Sequence, residues 1–507
     1  MAFSFHVEHF GCRAARADGE AVSDRLRVAG LCEGEPSEAD VVVVNTCSVT
    51  AEADRAARAF IRRAHRVNPE ARIVVTGCYA QRAPGELAGM AGVAAVVGNS
   101  HKALAPKIVL GLAREGAGVG LVALPELVRI QSLAAGGAQA SAPIWADDRF
   151  AHSFLEEAQI VPGTQTRPNL KIQEGCGNRC TFCVIPQTRG SSRSLAAAAV
   201  MKQVEGFVAA GGKELVLSGI NLGRWGRDLA GSAREWTVQS LWYPTLSAER
   251  RGKDGAPSLF GAPGMYRAPR TGPTLAGLVR EIFDRTGLAR LRLSSIEPMD
   301  WDEELIGLMA EFGGTRLARH AHLPLQSGSD AVLRRMHRRY RPWHYLEKVE
   351  ALLRAAGPEV TLGADVMVGF PGETDAEFEE TMNLVRALPF GYLHLFPFSP
   401  RPGTRGWALH AARPVRVAAV EERMAALRTL AAQKSETHRR WFVGRDVEAI
   451  TLHTPPEMEA RGWTAALTEN FLPVEVEGSL DANRLARVRV SGMNAEGTLK
   501  ATKSSPS

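Results

Sequence analysis

The sequence has little cysteine, seven residues in 507, and few aromatics, 7% of the chain. Seven is an odd number and a small one, which argues against the disulfide framework of a secreted protein and leaves reduced thiols free to serve as metal ligands. No run approaches eighteen consecutive apolar residues, so no membrane-spanning helix is expected. The opening from Met1 to Phe10 lacks a basic segment followed by an apolar one, so no secretory leader is expected and the expected location is cytoplasmic. Neither sign of charge dominates. The 61 Lys and Arg against 55 Asp and Glu leave a net charge of +6, a mild excess that points to a polyanionic partner only where it is localised. With 45% hydrophobic and 23% charged residues the chain reads as globular, and its length suggests about two to four domains.

What the chain does have is a concentration of those few thiols. Cys176, Cys180 and Cys183 fall within eight residues, in the stretch from Lys171 to Pro186, just after a short apolar strand. A Cys-x3-Cys-x2-Cys run in such a loop can hold three irons of an iron–sulfur cube and leave the fourth open to a substrate or cofactor. A structural zinc site, which usually wants a fourth Cys or His close by, and a redox thiol pair are the competing readings.

The first region, residues 1–115, alternates short β-branched runs with helical patterns, which predicts a parallel, flavodoxin-like α/β domain. Expected strands lie at 3–10, 41–44, 72–76 and 93–97, and expected helices at 19–28, 51–65, 85–90 and from 101 onward. Cys12, Cys47 and Cys78 each follow a strand, at the edge where open α/β sheets bind ligands, and suggest a second three-Cys cluster. Cys32 follows a helix and reads as a plain, half-buried thiol. Residues 116–167 read as a linker. From 168 to 435 six expected strands alternate with helices, a partial (β/α)6 barrel whose chemistry belongs at the carboxyl ends of its strands; a stretch of little periodicity at about 230–272 reads as an insertion. Residues 440–500 show period-two runs at 447–452, 463–467, 472–476 and 486–490, which predict a small antiparallel β-barrel.

Taken together the motifs resemble those of the radical S-adenosylmethionine methylthiotransferases, and the resemblance spans nearly the whole chain. It is carried by the Cys176–Cys183 run and by Val44-Asn-Thr-Cys-Ser-Val-Thr50, Val75-Thr-Gly-Cys-Tyr-Ala-Gln81, Leu217-Ser-Gly-Ile-Asn-Leu222, Arg292-Leu-Ser-Ser-Ile-Glu-Pro298, Leu323-Pro-Leu-Gln-Ser-Gly-Ser-Asp330 and Ala364-Asp-Val-Met-Val-Gly-Phe-Pro-Gly-Glu-Thr374. The resemblance implies two [4Fe–4S] clusters. The one on Cys176, Cys180 and Cys183 would bind S-adenosylmethionine and yield a 5′-deoxyadenosyl radical, and the one on Cys12, Cys47 and Cys78 would carry the sulfur for insertion. Cofactor contacts are expected from Gly212 and Glu214, where glycine lets a backbone edge approach, although a helix C-cap explains Gly211 and Gly212 equally well. Ser294, Ser295 and Gln326, polar residues at strand ends, are further expected contacts.

Within the family the texture of Asn45–Thr50, Gly77–Gln81, Cys183–Pro186, Ser218–Gly223 and Pro397–Thr404 looks most like the branch acting on N6-threonylcarbamoyladenosine in tRNA. Branches acting on isopentenyladenosine or on a small-subunit ribosomal protein are the alternatives, and a non-catalytic iron–sulfur RNA sensor is the rival outside enzymology. Ala15 stands where the family commonly has Asn. The resemblance further implies an anticodon stem-loop as substrate, an external electron donor such as flavodoxin or ferredoxin, a monomer, and an RNA-binding (TRAM-like) role for the terminal barrel. Arg334-Arg-Met-His-Arg-Arg-Tyr-Arg341, with five arginines, is read either as a phosphate contact or as a solvated helix end.

Overall fold

The computed structural model describes residues 3–116, 142–148, 150, 167–229 and 272–504. The insertion expected at about 230–272 and most of the expected linker lie outside the described residues.

In the first region strands β1 (Ser4–His9), β2 (Cys32–Glu33), β3 (Val41–Thr46), β4 (Arg72–Gly77), β5 (Val93–Gly98) and β6 (Ile144–Trp145) form one sheet in the order β2-β1-β3-β4-β5-β6. Every pairing in it is parallel. Both faces are covered, which is why Val41 to Val44 are all buried instead of alternating. Period two sends Val41 and Val43 to a layer with Val22, Leu26, Ile108 and Val109, and Val42 and Val44 to a layer with Ala57, Phe60 and Ile61. The helix Ala51–Val67 begins where Thr50 accepts the Ala53 N–H, with Glu52 and Asp54 in its first turn and His65 and Arg66 in its last, matching the helix dipole. Strand β6 falls in the stretch read as a linker; two residues are too few to carry a periodic signal. The helix expected from His101 instead opens as a 3-10 turn, Asn99–Leu104, and becomes α-helical at Ala105. Three side chains of that turn, Asn99, Ser100 and Lys102, are buried.

The central region supplies β7 (Asn169–Glu174), β8 (Arg193–Ser194), β9 (Glu214–Gly219), β10 (Arg290–Leu293), β11 (His320–His322), β12 (Thr361–Val368) and β13 (Phe390–Pro397). Two arcs, β10-β9-β7-β8 and β11-β12-β13, curve around one continuous apolar core. The arcs are joined where the Ile296 N–H donates to the His322 carbonyl and the Ala318 N–H to the Leu291 carbonyl. Apart from the short antiparallel β8, the six remaining strands are the expected partial barrel.

The helix Val417–Trp441 lies along β13 and leads into β14 (Asp446–Thr451), β15 (Trp463–Thr468), β16 (Pro473–Glu477), β17 (Leu485–Met493) and β18 (Leu499–Lys503), which close into a barrel. The closing pair β16–β18 is parallel and the other pairings are antiparallel. Strand β18, which closes the barrel, was not among the expected strands.

The terminal barrel docks through charge. Glu214, fully buried at the amino end of β9, faces Arg290 at 3.3 Å and Arg292 at 3.1 Å. Arg290 also pairs with Glu448 of β14, and Arg292 donates to the Thr468 and Glu469 carbonyls. Burial would raise the Glu214 carboxyl, but Arg292, Arg290 and Arg167 outweigh it and hold it below the ordinary carboxylate range. Removing one partner of such a set strands buried charge, so Glu214→Gln is expected to cost about 3–5 kcal/mol. A lowered denaturant midpoint with an unchanged affinity for S-adenosylmethionine is the expected result; weakened cofactor binding in a stably folded variant would return Glu214 to the cofactor site.

Candidate functional site

Cys12, Cys47 and Cys78 lie just beyond β1, β3 and β4, three neighbouring strands, at the point where the strand order reverses direction. Cys12 caps the helix Arg13–Val28, which begins earlier than the expected Gly19, and Cys78 opens the helix Cys78–Arg82. The turn before Cys12 is tight. Gly11 has φ +106°, and a Cβ there would stand 2.3 Å from the Cys47 Cβ. Burial first, then the neighbouring Cys78 and Cys12 sulfurs, push the Cys47 thiol up to about 12. Three crowded thiols of this kind give up their protons when a cationic group binds them. N–H donors already aim at the sulfurs: Asn99 Nδ2 at 3.3 Å and Arg189 Nε at 3.2 Å from Cys78 Sγ, and the Val49 N–H at 3.5 Å from Cys47 Sγ. Cys32 is apart from this set and exposed, not half-buried.

The second triad occupies the loop after β7. Gly175 (φ +70°) makes the turn, and a Cβ on it would meet the Ser191 carbonyl at 2.0 Å. The Asn178 N–H and Asn221 Nδ2 point at Cys176 Sγ, at 3.4 and 3.5 Å. Arg338 reaches Cys180 Sγ at 3.3 Å while its other terminal nitrogen bonds both Glu297 oxygens at 2.7 and 2.6 Å. Burial pushes the Cys183 thiol up to about 12. Among the described residues, single-ion spacing, with all ligand atoms within 4.8 Å, is met by His322, Asp365 and His394 and by neither Cys triad. A single zinc ion with Zn–S bonds of about 2.3 Å needs sulfurs about 3.8 Å apart. The donor sets therefore fit a cluster, whose sulfur ligands stand wider, better than zinc, and the N–H groups aimed at them suit thiolate acceptors.

Both triads open on one cavity of about 610 Å³, lined by Cys12 on one side and Cys183 on the other. Ser294, Ser295 and Gln326 line it as expected. Gly212 and Glu214 do not, since they lie at the opposite, amino end of β9. Gly211 and Gly212 close the helix Ala197–Ala209: the Gly212 N–H bonds the Phe207 carbonyl and the Gly211 N–H that of Val208, the helix-terminating alternative. The cavity wall holds buried polar atoms with no hydrogen-bond partner in the protein, namely Ser218 Oγ, Ser294 Oγ and Gln326 Oε1. A ligand rich in donors and acceptors, as S-adenosylmethionine is, would satisfy them. Gln326 is held at φ +62°, its N–H donating to the Asp365 carbonyl at 2.7 Å and its own carbonyl accepting from Met367 at 2.8 Å, an uncommon backbone state fixed from both sides.

A buried charge network joins the two regions behind the triads. Asp18 and Lys102 come from the first region and Lys171, Glu174 and Arg189 from the second, all nearly devoid of solvent contact. Lys102 stands 2.6 Å from Asp18 and 3.2 Å from Glu174, and Arg189 3.1 and 2.7 Å from the same two. Burial would raise both carboxyls. For Asp18 the charges of Lys102, Lys171 and Arg189, and for Glu174 those of Arg189, Lys102 and Lys171, hold them low. Ala15 contributes its backbone: its carbonyl accepts from Asn45 Nδ2.

The arginine run is consumed locally. Arg334 and Arg341 pair with Asp330, Arg335 with Glu377, Arg338 with Glu297 and Arg339 with Asp300, so the run is not a free phosphate-binding face. Sequence reading missed Arg189, Arg338, Asn99 and Asn221 as sulfur partners, and the His322, Asp365 and His394 group. Asn99, Asn221 and His322 carried the signal of a polar residue near a strand end, whereas Arg189 and Arg338 follow helices and Asp365 and His394 lie in mid-strand; only the fold brings them together.

The fold and the open three-thiolate loop define a radical S-adenosylmethionine enzyme. A model described as the radical SAM superfamily matches residues 256–385, and one described as "Uncharacterized protein family UPF0004" matches residues 4–98. The chain is 32% identical over 492 residues to the threonylcarbamoyladenosine tRNA methylthiotransferase MtaB of Bacillus subtilis, covering 96% of this chain and 93% of that protein. It is 31% identical to the MtaB of Aquifex aeolicus, covering 95% and 99%. To the tRNA-2-methylthio-N(6)-dimethylallyladenosine synthase of Sorangium cellulosum it is 34% identical, covering 79% and 72%. The chain belongs to the radical S-adenosylmethionine tRNA methylthiotransferases, a family that uses two [4Fe–4S] clusters and S-adenosylmethionine.

Two outcomes follow from this geometry. Gly11→Ala, which places a methyl inside the Cys47 side chain, is expected to halve the iron bound after anaerobic reconstitution, roughly one cluster of two, while S-adenosylmethionine cleavage persists; full iron content would show that the turn tolerates a Cβ. Asp18→Asn should cost about 3–5 kcal/mol at neutral pH. Because folding lowers the Asp18 carboxyl below its ordinary value of about 3.9, its stabilisation is present above that pH and is lost as pH falls through the lowered value. The stability gap between wild type and variant should accordingly be larger near about pH 6 than below about pH 4; a gap independent of acid would assign Asp18 no charge role.

Proposed function

We propose that this protein transfers a methylthio group to C2 of N6-threonylcarbamoyladenosine at position 37 of tRNA. The observation that carries the reading is the shared cavity: Cys12 of one triad and Cys183 of the other line the same chamber, so groups held on the two triads would face one common substrate. When bound, the cluster on Cys176, Cys180 and Cys183 supplies the reductive cleavage of S-adenosylmethionine, and that on Cys12, Cys47 and Cys78 supplies the sulfur.

The chain's own residues do the positioning. Ser294, Ser295 and Gln326 offer polar contacts to the cofactor, and Arg338, held by Glu297, places a fixed positive charge beside Cys180. Phe182, Phe396 and Phe398 form apolar wall that keeps water from a reactive intermediate. The terminal barrel suits RNA contact, since Arg487 and Arg489 alternate outward along β17 with 72% and 60% of their side chains exposed.

The choice of base rests on coverage. The MtaB proteins of B. subtilis and A. aeolicus align over 93% and 99% of their length, whereas three tRNA-2-methylthio-N(6)-dimethylallyladenosine synthases align over 72–77% of theirs. The reading includes an anticodon stem-loop as the part of tRNA bound, flavodoxin or ferredoxin as electron donor, a monomer, and a cytoplasmic setting; among the described residues no helix is long and apolar enough to cross a membrane.

Nucleoside mass spectrometry of tRNA from cells with and without the gene tests the substrate. Loss of the methylthio group from threonylcarbamoyladenosine is expected; loss from the isopentenyl nucleoside alone would overturn the assignment. In purified protein Cys176→Ala should abolish 5′-deoxyadenosine formation, and Cys47→Ala should retain it and lose thiolation. Equal loss of cleavage in both folded variants would refute the division of labour, and wild-type protein that binds both clusters yet cleaves no S-adenosylmethionine under reductant would favour the RNA sensor.

A further inference from the structure

The side of the cavity away from the thiols is built by β11, β12 and β13. Asp365 of β12 is directly paired with His394 of β13, and His322 of β11 is paired with Gly363, two residues before Asp365. Period two therefore turns His322, Asp365 and His394 to one face, and that face lines the chamber. His394 Nδ1 lies 3.2 Å and His322 Nε2 3.3 Å from the same carboxylate oxygen, Asp365 Oδ1, and the three ligand atoms are all within 4.8 Å of one another. The His394 contact is a hydrogen bond. The His322 contact is an ion-pair contact outside good hydrogen-bond geometry: Nε2 is buried, on a side chain only 9% exposed, with Asp365 Oδ1 as its polar neighbour.

Two imidazole nitrogens converging on one carboxylate oxygen, one of them buried and out of hydrogen-bond geometry, form a donor set with room for one cation. Metal–nitrogen and metal–oxygen bonds of about 2.0–2.2 Å place neighbouring ligands about 2.8–3.6 Å apart in tetrahedral or octahedral geometry. The observed 3.2 and 3.3 Å fall in that interval, while both are long for a charge-assisted hydrogen bond, about 2.7–2.9 Å. Exposure rises from His322 at 9% through Asp365 at 24% to His394 at 59%, so an ion held here would be closed on the barrel side and open on the cavity side.

We propose that His322, Asp365 and His394 bind one divalent transition-metal ion, and that its open positions take the carboxylate and hydroxyl of the threonyl side chain on the substrate adenosine. The second half rests on the substrate reading above. Two imidazoles and one carboxylate leave an ion with net positive charge and vacant sites. That charge is what the location calls for: the Asp365 carboxylate repels an anionic side chain, and a bridging cation reverses the sign. A neutral dimethylallyl group offers such an ion nothing to bind. Tyr392, between His320 and His322 with ring centroids 5.9 Å from each, closes the wall beside the site.

The test uses full-length protein with both clusters reconstituted. Mn2+ is the probe because thiolates compete poorly for it, and free Mn2+ is followed by its electron paramagnetic resonance signal. One saturable Mn2+ per chain is expected, weakened at least tenfold in His394→Ala and in His322→Ala with the visible absorption of the clusters intact. His394 is the more open residue and the variant safer for folding. Absence of saturable binding, or binding unchanged in His394→Ala, overturns the site. The ligand is tested with stem-loop RNAs: Mn2+ should tighten binding of the threonylcarbamoyl RNA about tenfold and leave the dimethylallyl RNA unchanged, and an equal effect on both overturns the assigned ligand. If the enzyme proves to thiolate only the dimethylallyl RNA, the substrate reading and the ligand fall together, while the Mn2+ titration still decides the ion site.

Discussion

Everything in the functional half of this molecule depends on five buried charges. Asp18 and Lys102 from the first region meet Lys171, Glu174 and Arg189 from the second with almost no water between them. Burying ions is costly, and an apolar joint of the same size would often be as stable. What charges add is direction: each needs a particular partner, so the two regions can dock in one register. That register places the β1, β3 and β4 strand ends opposite the mouth of the central barrel. Arg189 belongs to both tasks, since it closes the ion network and donates to Cys78 Sγ at 3.2 Å.

The same logic recurs at lower stakes around the molecule. Glu214 with Arg290 and Arg292 seats the terminal barrel at the edge remote from the cavity, and Glu297 with Arg338 presents a cation to Cys180. Each is a carboxylate fixing a guanidinium whose remaining N–H groups do a second job. Bidentate or forked geometry makes Arg suited to this and Lys poorly so.

The cysteines were legible in the sequence because their chemistry is encoded by spacing and by strand-end position, both local properties. The strands were legible because Val41–Val44 are apolar on both faces and Leu362–Val368 are apolar but for Asp365. The edges were not: β6 is two residues long, and β18 closes its barrel by a parallel pairing with β16 that no local pattern announces. Gly212 and Glu214 lie at the amino end of β9, although the carboxyl-end rule for barrel strands already pointed to the other end. The arginine run misled for a different reason. Five positive charges within eight residues look exposed on paper, but Asp330 of the same helix and Glu297, Asp300 and Glu377 from other elements pair with them. His322, Asp365 and His394, 43 and 29 residues apart in the chain, become neighbours only through the pairing of three strands.

The unequal burial of Cys12, Cys47 and Cys78 bears on how the protein matures. Cys47 and Cys78 lie within the interior and Cys12 alone is exposed. With Arg189 of the barrel already against Cys78, iron and sulfide delivered to the finished fold have one accessible thiol to land on, and it is the one lining the chamber. The substrate's entrance is then also the loading port of the sulfur-bearing centre, so a bound tRNA blocks repair of that centre and an empty enzyme leaves it open to both rebuilding and oxygen.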